Sequence, residues 1–245
     1  MSAPTLDVLA IGAHPDDAEL GCGATLALAA QRGRRVGLLH LTRGERGTRG
    51  SEAERRREAE NAAAALGAVA VDFLDCGDGA LRTGEREEDV LIAVLRERRP
   101  ELVLAPAPYD RHPDHGRAHH LVHAACFYAG LRQRGSGQPH RPAAVFAYMQ
   151  HDPFTPSFIV DVSESWAKKI AALAAYRTQI HQPGAADPAA AGPPTKVASP
   201  EFARAIEGRA RHFGLLIGAE FGEPFWSRLP LAVADPWALL PRGQR

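Results

Sequence analysis

Short apolar runs alternate along the chain with longer stretches rich in Ala, Leu, Glu and Arg. The short runs have the length of buried strands, and the longer stretches have the length and composition of helices. A strand–helix rhythm of this kind is typical of a parallel sheet covered by helices. The pattern therefore predicts a Rossmann-like α/β fold of three layers, with a mostly parallel sheet between the helices.

The ends of the predicted elements follow from the apolar runs and from residues that stop or cap helices. Gly33, Gly67 and Pro100 follow the first three helical stretches, where helices usually end. Ser163 and Ser199 can cap the last two helices. The predicted strands are 6–11, 36–41, 69–74, 102–105, 144–149 and 157–160, and the predicted helices are 18–31, 52–66, 85–98, 115–129, 163–176 and 200–217.

Length and composition limit the domain organisation and the class of partner. The 245 residues, 45% of them hydrophobic, predict one domain over 1–245, with a surface loop or flap at the Pro-, Gly- and Ala-rich stretch 181–198. The 29 Lys and Arg balance the 29 Asp and Glu, so we expect no binding to nucleic acid or to a membrane surface. Three cysteines without CxxC spacing favour free thiols, and the first apolar run is too short for a signal peptide, which predicts a cytoplasmic protein.

Polar motifs follow each of the first four predicted strands. They are His-Pro-Asp-Asp at 14–17, Thr-Arg-Gly-Glu at 42–45, Asp-Cys-Gly-Asp-Gly at 75–79 and Asp-Arg-His-Pro-Asp-His at 110–115. The carboxyl ends of parallel strands share one edge of a sheet, where ligands bind. Segments that are distant in sequence are therefore expected to meet in one pocket.

The motif at 14–17 has a spacing that suits metal binding. His14 and Asp17 offer an imidazole nitrogen and a carboxylate oxygen three residues apart, so both can reach one side of the turn. Asp16 points elsewhere and is free to act as a general base toward water. A single Asp before a helix is more often a helix cap, but the second His-Pro-Asp-His motif favours a metal site.

The motif at 112–115 supplies the rest of the predicted site. His115 is the third ligand, and two His and one Asp leave a fourth position open, as in catalytic zinc sites. Fe²⁺, Co²⁺ and Mn²⁺ stay open with the same ligands. His112 can stabilise an oxyanion or protonate a leaving amine, with Asp114 near enough to orient it or raise its pKa. Together these residues predict a metal-dependent hydrolase.

Other interpretations of these segments are weaker. The first turn carries His14 where dinucleotide binding requires a second glycine. His115, His119 and His123 have the separation of a helical metal pair, but no Glu completes a His-Glu-x-x-His motif. Cys76 follows the third strand, yet a lone cysteine is more often a passive small residue.

The paired motifs resemble those of a known family. Ala-His-Pro-Asp-Asp-x-Glu at 13–19 and His-Pro-Asp-His at 112–115 are similar to motifs of the LmbE-like or PIG-L superfamily of zinc N-deacetylases. The segments 41–50, 110–116, 156–163 and 210–214 resemble its bacillithiol-biosynthesis branch, whose members deacetylate N-acetylglucosaminyl malate. The resemblance runs nearly end to end and implies a homo-oligomer, for which the apolar segments 213–217 and 225–226 are candidate contacts.

The resemblance also implies a role for each motif residue. It implies His14, Asp17 and His115 as zinc ligands, Asp16 as general base and His112 as the group that stabilises the intermediate, in agreement with the residues' own chemistry. It further implies contacts with the sugar or aglycone for Arg55 and Asp78, and places in the pocket wall for Glu45 and Arg111.

The expected function is hydrolysis of the acetamide of an N-acetylglucosaminide, with N-acetylglucosaminyl malate as the expected small-molecule substrate. The alternatives are another such substrate, for example a chito-oligosaccharide, or cleavage of a bacillithiol S-conjugate by amidase activity. The motif at 75–79 departs from the Leu-Pro-Asp-Gly that is common in the family, which leaves the substrate open. A non-catalytic sugar- or nucleotide-binding module is a further alternative, against which the intact Asp16 and His112 argue.

Overall fold

A single mixed sheet runs through the molecule. The computed structural model describes residues 4–181, 193 and 195–239. The strands are β1 (Val8–Gly12), β2 (Val36–His40), β3 (Ala70–Phe73), β4 (Leu102–Pro106), β5 (Ala144–Tyr148), β6 (Phe158–Asp161) and β7 (Gly222–Trp226). The helices are α1 (Asp17–Gln31), α2 (Glu52–Leu66), α3 (Glu85–Arg98), α4 (Pro113–Tyr128), α5 (Trp166–Ala175) and α6 (Pro200–Leu216).

The strand order confirms the predicted Rossmann-like architecture. The seven strands lie in the order β3-β2-β1-β4-β5-β7-β6. The first five are parallel to their neighbours, and β7 runs antiparallel between β5 and β6. Since β2 and β4 flank β1, the strand order reverses at β1, which is where ligands bind in open α/β sheets.

Alternate residues of the central strands face opposite layers of helices. Val8 and Ala10 of β1 pack into the apolar cluster that includes residues of α1, α2, α5 and α6. Leu9 and Ile11 pack into the cluster that includes residues of α3 and α4. The period of two expected for a strand therefore builds a three-layer core. No helix in the described part of the chain is long and apolar enough to span a membrane.

Several predicted details are corrected. The strand β7 was missed, and Phe225 within it is 1% exposed, so it lies in the core and cannot form the expected subunit contact. Leu215 and Leu216, in the other predicted contact segment 213–217, are exposed, so a contact there stays a prediction. Ser165, not Ser163, precedes α5, and the Ser163 hydroxyl accepts backbone N–H groups before β7. Residues 182–192 and 194 of the predicted flap lie outside the described residues.

Helix α1 is interrupted in the middle, and buried side chains bind the freed backbone groups. Cys22 has non-helical angles, with φ −142° and ψ 19°. The Lys169 ammonium donates to the carbonyl of Leu20 (2.8 Å) and to the carboxylate of Glu223 (2.6 Å). Glu223 also accepts the backbone N–H of Thr25 at 2.7 Å. The interruption is therefore part of the fold, because buried polar groups need partners.

Substitution of Gly21 by Ala tests how closely α1 packs on β5. A Cβ at Gly21 would overlap the ring of Tyr148, a buried residue whose hydroxyl donates to the carbonyl of Ile11. We expect Gly21→Ala to lower the free energy of unfolding by about 1–3 kcal/mol through overpacking, as measured by urea denaturation. Gly208→Ala in α6 is the matched control, because a Cβ there meets nothing within 4 Å. The control should gain up to about 1 kcal/mol from helix propensity, and equal effects at the two positions would contradict this packing.

Candidate metal centre and active site

The turn between β1 and α1 places Asp16 in a strained conformation. Asp16 occupies the N-cap position of α1 with φ 105° and makes no side-chain capping hydrogen bond. A non-glycine residue with this φ costs free energy and is common at functional sites. The turn is held from outside by Arg55, whose guanidinium donates to the carbonyls of Pro15 (2.7 Å) and Gly44 (3.4 Å). The helix-capping interpretation is therefore wrong for Asp16.

Asp17 is the point at which the two predicted motifs meet. Its Oδ2 accepts the backbone N–H of His14 at 2.8 Å and lies 3.4 Å from His14 Nδ1. Its Oδ1 lies 3.3 Å from Nε2 of His115. Burial raises the pKa of this carboxyl, but the imidazoles of His115 and His14 outweigh burial and hold the pKa well below its usual range. Asp17 is therefore a carboxylate with an imidazole at each oxygen.

Each of these imidazoles is held by carboxylates at its other nitrogen. Nδ1 of His115 lies 2.9 Å from Oδ1 of Asp110. Nε2 of His14 lies 3.2 Å from Asp78 and 3.3 Å from Asp114. Burial lowers the pKa of both imidazoles, yet the carboxylates outweigh it, so that the pKa of His115 reaches about 9 and that of His14 is raised well above its usual value. Carboxylates in this position orient an imidazole toward a metal ion and fix its tautomer.

The described residues fit a divalent cation. Ligand atoms lie within 4.8 Å of one another in three groups: His14 with His112 and His115, Asp110 with His115 and His151, and His14 with Asp78 and Asp114. Asp17 is in none of these groups, but the predicted ligands His14 and His115 both approach it, and each keeps one ring nitrogen on the Asp17 side. A nitrogen and oxygen set of this kind suits zinc and its neighbours in the first transition row.

Asp16 lies beside this set and has the properties of a base. Burial raises its pKa to about 7, against the opposing effect of the Arg55 guanidinium, which lies 3.7 Å from Oδ2. A carboxylate with a pKa near neutrality can accept a proton during a reaction and release it afterwards. The pKa values of Asp16 and Asp17 are thus shifted in opposite directions, because burial dominates at Asp16 and the imidazoles dominate at Asp17.

His112 faces the same space but is not oriented by the Asp114 carboxylate. Its ring centroid lies 4.8 Å from that of His14 and 4.9 Å from that of His115. Burial and these two imidazoles lower the pKa of His112, contrary to the expected rise. The backbone N–H of Asp114 donates to Nδ1 of His112, so the neutral ring carries its proton on Nε2. The Asp114 carboxylate instead accepts the N–H groups of Gly79 and Leu81.

The predicted substrate residues fall into two groups. Arg55 is 4% exposed and Asp78 is 7% exposed, and both contact the motif turn, through Pro15 and His14 respectively. Glu45 and Arg111 are exposed on the loops after β2 and β4. Glu45 Oε1 accepts the backbone N–H of Asp78 at 2.8 Å, which joins two of the loops. Substrate contacts for these four residues stay predictions.

Three site residues had no role in the sequence prediction, although Asp110 lies in the motif at 110–115. Asp110 accepts from His115 and from the backbone N–H groups of His112 and His151. The His151 ring stacks on that of His115 with centroids 5.8 Å apart, and the Gln150 amide donates to Asp17 Oδ1 at 2.6 Å. Gln150 and His151 follow β5, so applying the sheet-edge argument to a fifth strand would have found them.

The rival histidine set on α4 has a different environment. Nδ1 of His119 donates to the carbonyl of Pro106 at 2.9 Å, and the rings of His119 and His123 lie 4.4 Å apart. Burial lowers the pKa of His119 to about 4, so the ring is neutral and serves as a packed core residue. The groups of potential metal ligands found among the described residues do not include His119 or His123.

The fold and the site define an α/β protein with a His/Asp metal-binding group at the switch point of its sheet. The family model for PIG-L, described as GlcNAc-PI de-N-acetylase, matches residues 9–126, which include both motifs. The chain is 32% identical to diacetylchitobiose deacetylase of Thermococcus kodakarensis, over 71% of this chain and 70% of that protein. It is 30% identical to 4-oxalmesaconate hydratase of Pseudomonas putida, over 74% of this chain and 77% of that protein.

A solved structure agrees with these sequence comparisons. A conserved protein from Thermus thermophilus is similar with a TM-score of 0.85 and 38% identity, over 95% of this chain and 99% of that one. The chain belongs to the PIG-L family of de-N-acetylases. This membership confirms the predicted resemblance at the level of the family and the predicted class of enzyme, a hydrolase that acts on the C–N bond of an acetamide.

Substitution of Asp16 tests the strain in the motif turn. A residue with φ 105° costs about 1–3 kcal/mol unless it is glycine. We expect Asp16→Gly to unfold at higher urea concentration than Asp16→Asn, by about 1 kcal/mol in metal-free protein, because glycine relieves the strain that asparagine keeps. A control pair at Asp235, an exposed residue of the C-terminal segment, should show no gain for glycine. If the asparagine variant at position 16 were the more stable one, the turn would not be strained.

Proposed function

We propose that the protein is a zinc-dependent deacetylase that hydrolyses the acetamide of an N-acetylglucosaminide. The observation that carries the proposal is the pairing of a buried base, Asp16, with a carboxylate between two oriented imidazoles, Asp17 between His14 and His115. Metal-dependent hydrolysis of an amide needs both of these parts at one carbonyl group. Family membership supports the same chemistry.

His14, Asp17 and His115 would hold the metal. A bound zinc ion polarises the acetyl carbonyl and makes water more acidic. The oxygen and nitrogen set also suits Fe²⁺, Co²⁺ or Mn²⁺. Asp78, Asp110 and Asp114 would keep the two imidazoles in their binding orientation, since each accepts from a ring nitrogen that does not face Asp17.

Asp16 and His112 would carry the proton transfers of the reaction. Asp16 takes a proton from the attacking water, for which its raised pKa suits it. The Nε2–H of neutral His112 donates a hydrogen bond to the acetyl oxygen, which becomes negatively charged when water attacks the acetyl carbon. Protonated Asp16 then delivers the proton to the nitrogen of the leaving amine, which releases acetate and a free amino sugar. His112 thus acts as a hydrogen-bond donor, which its lowered pKa allows.

The finer proposal is that the substrate is N-acetylglucosaminyl malate, as in bacillithiol biosynthesis. The segments that resemble that branch include 41–50 after β2 and 110–116 after β4, which both follow the carboxyl ends of their strands. Arg46 and Arg111 are exposed on these loops. They offer positive charge to the two carboxylates of a malate aglycone, which a neutral sugar does not carry.

A second candidate is a chito-oligosaccharide. The similarity to diacetylchitobiose deacetylase of Thermococcus kodakarensis supports this alternative. A neutral second sugar has no carboxylate for the exposed arginines to bind. The two candidates therefore differ in whether Arg111 contributes to substrate binding.

Acetate release tests the proposed function directly. We expect zinc-loaded protein to release acetate from N-acetylglucosaminyl malate with a higher kcat/KM than from diacetylchitobiose or a bacillithiol S-conjugate. Removal of the metal by a chelator should abolish the release, and added zinc should restore it. Asp16→Asn should lower kcat by about 100- to 10,000-fold while zinc stays bound. Glu60→Gln, on the exposed face of α2, is the control variant and should keep normal turnover.

Two outcomes would contradict the proposal in different ways. Near-normal turnover of zinc-loaded Asp16→Asn would exclude Asp16 as the base. If zinc-loaded protein released no acetate from any acetylated sugar, a binding module or a hydration reaction would be favoured instead of deacetylation.

Substitution of Arg111 tests the aglycone. We expect Arg111→Gln to raise KM for N-acetylglucosaminyl malate by about tenfold, with little change in kcat, because it removes binding common to ground and transition states. The KM for diacetylchitobiose should stay unchanged. Arg132→Gln is the control, since this exposed arginine follows the opposite end of α4. An equal rise for both substrates would assign Arg111 to the sugar and not to the malate.

A further inference from the structure

Gln150 is a buried amide at the end of β5 with one directed contact. It is 4% exposed, and its Nε2 donates to Oδ1 of Asp17 at 2.6 Å. Among the described residues, its Oε1 is buried without a hydrogen-bond partner. A flipped amide would set Oε1 against the Asp17 carboxylate, where two acceptors repel. The amide therefore has one favourable orientation, with its donor on Asp17.

The donor from Gln150 completes the set of groups that fix the Asp17 carboxylate. One oxygen is held by the His14 backbone N–H at 2.8 Å, and the other by Gln150 at 2.6 Å. The first donor belongs to the motif turn itself, whereas Gln150 lies 133 residues from Asp17 along the chain. Rotation of the carboxylate would break both hydrogen bonds, so its plane relative to His115 is set before any ligand arrives.

Gln150 is itself anchored by helix α6. The Arg209 guanidinium donates to the backbone carbonyl of Gln150 and to that of Leu20, at 3.3 Å in the second case. Leu20 lies just before the interruption of α1 at Cys22, and α1 begins with Asp17. The same arginine thus ties the backbone of Gln150 to the helix that carries its partner.

We propose that Gln150 is a positioning residue for the metal-binding carboxylate of Asp17. The inference rests on the proposed function in one respect, the assignment of Asp17 as a zinc ligand. In this proposal Gln150 is not itself a ligand and acts through its hydrogen bond to Asp17. Partners of this kind commonly contribute a factor of about 10 to 100 to metal affinity.

The test measures zinc affinity, which does not depend on turnover. The variant Gln150→Met keeps the length of the side chain and removes the donor. We expect its zinc dissociation constant, measured by competition with a chromogenic chelator, to rise by about 10- to 100-fold. At saturating zinc, kcat for acetate release should fall while KM stays within about twofold, because the substrate contacts are unchanged.

Ser165→Ala is the matched control for a general loss of stability. The Ser165 hydroxyl is buried and donates to the carbonyl of Ala24 at 2.7 Å, so it supports α1 without reaching Asp17. We expect this variant to unfold at lower urea concentration and to keep the zinc affinity of the unmodified protein. Loss of zinc affinity in Ser165→Ala equal to that in Gln150→Met would overturn the inference, since destabilisation alone would then explain both.

A double-mutant cycle separates failure of this inference from failure of the proposed function. Asp17→Ala should lower zinc affinity strongly, and adding Gln150→Met to it should cost nothing further, because the partner is gone. If Asp17→Ala lowers affinity and Gln150→Met does not, the inference is wrong and the proposed ligands stand. If Asp17→Ala leaves zinc affinity unchanged, Asp17 is not a ligand, and both are wrong.

Discussion

The close contact of Asp17 with the imidazoles of His14 and His115 is the interaction on which the rest of the site depends. Burying a carboxylate is costly unless positive charge or hydrogen-bond donors match it. Here each imidazole contacts more than one carboxylate. One ring nitrogen faces Asp17, and the other faces Asp110 in one case and Asp78 and Asp114 in the other. Such a cluster carries more negative than positive groups, and a divalent cation at Asp17 would balance it. At Asp16 burial outweighs the Arg55 guanidinium and the more distant imidazoles, so its pKa is raised.

The sheet brings these residues together, and the backbone accepts strain to do so. β1 and β4 are adjacent and parallel, so the motifs that follow them meet although about a hundred residues separate them. In the turn after β1, where Asp16 has a φ of 105°, the Asp16 carboxylate lies 3.7 Å from Arg55 and the Asp17 carboxylate lies 3.3 Å from His115. Arg55 holds the turn through the Pro15 carbonyl. Arg55 is buried, as expected for a side chain that supports the turn.

The sequence predicts the part of the fold that depends on regular patterns. The apolar runs of β1, β2 and β4 and the motifs at their carboxyl ends are visible because buried parallel strands are largely hydrophobic. β7 was missed because Gly222, Glu223 and Pro224 break its apolar run, and its Glu223 is buried against Lys169. Contacts such as Gln150 with Asp17, or Asp114 with His14, depend on side-chain directions across distant loops. Spacing within a motif cannot supply those directions, which is why Asp114 was expected beside His112.

Family membership by itself does not identify the reaction, because the relatives include both a deacetylase and a hydratase. The side chains of the site must therefore distinguish the two. Both names describe addition of water, which needs a base for the water proton and a site for the charge that develops. Asp16 can serve as base in either case. Deacetylation differs from hydration in that an amine must depart, and the amine nitrogen needs a proton after water has attacked. In the proposed mechanism Asp16 would meet this need, since a carboxyl with a pKa of about 7 can give back a proton that it has taken. In the same proposal His112, neutral with Nε2–H available, would stabilise the oxyanion without having to lose its own proton.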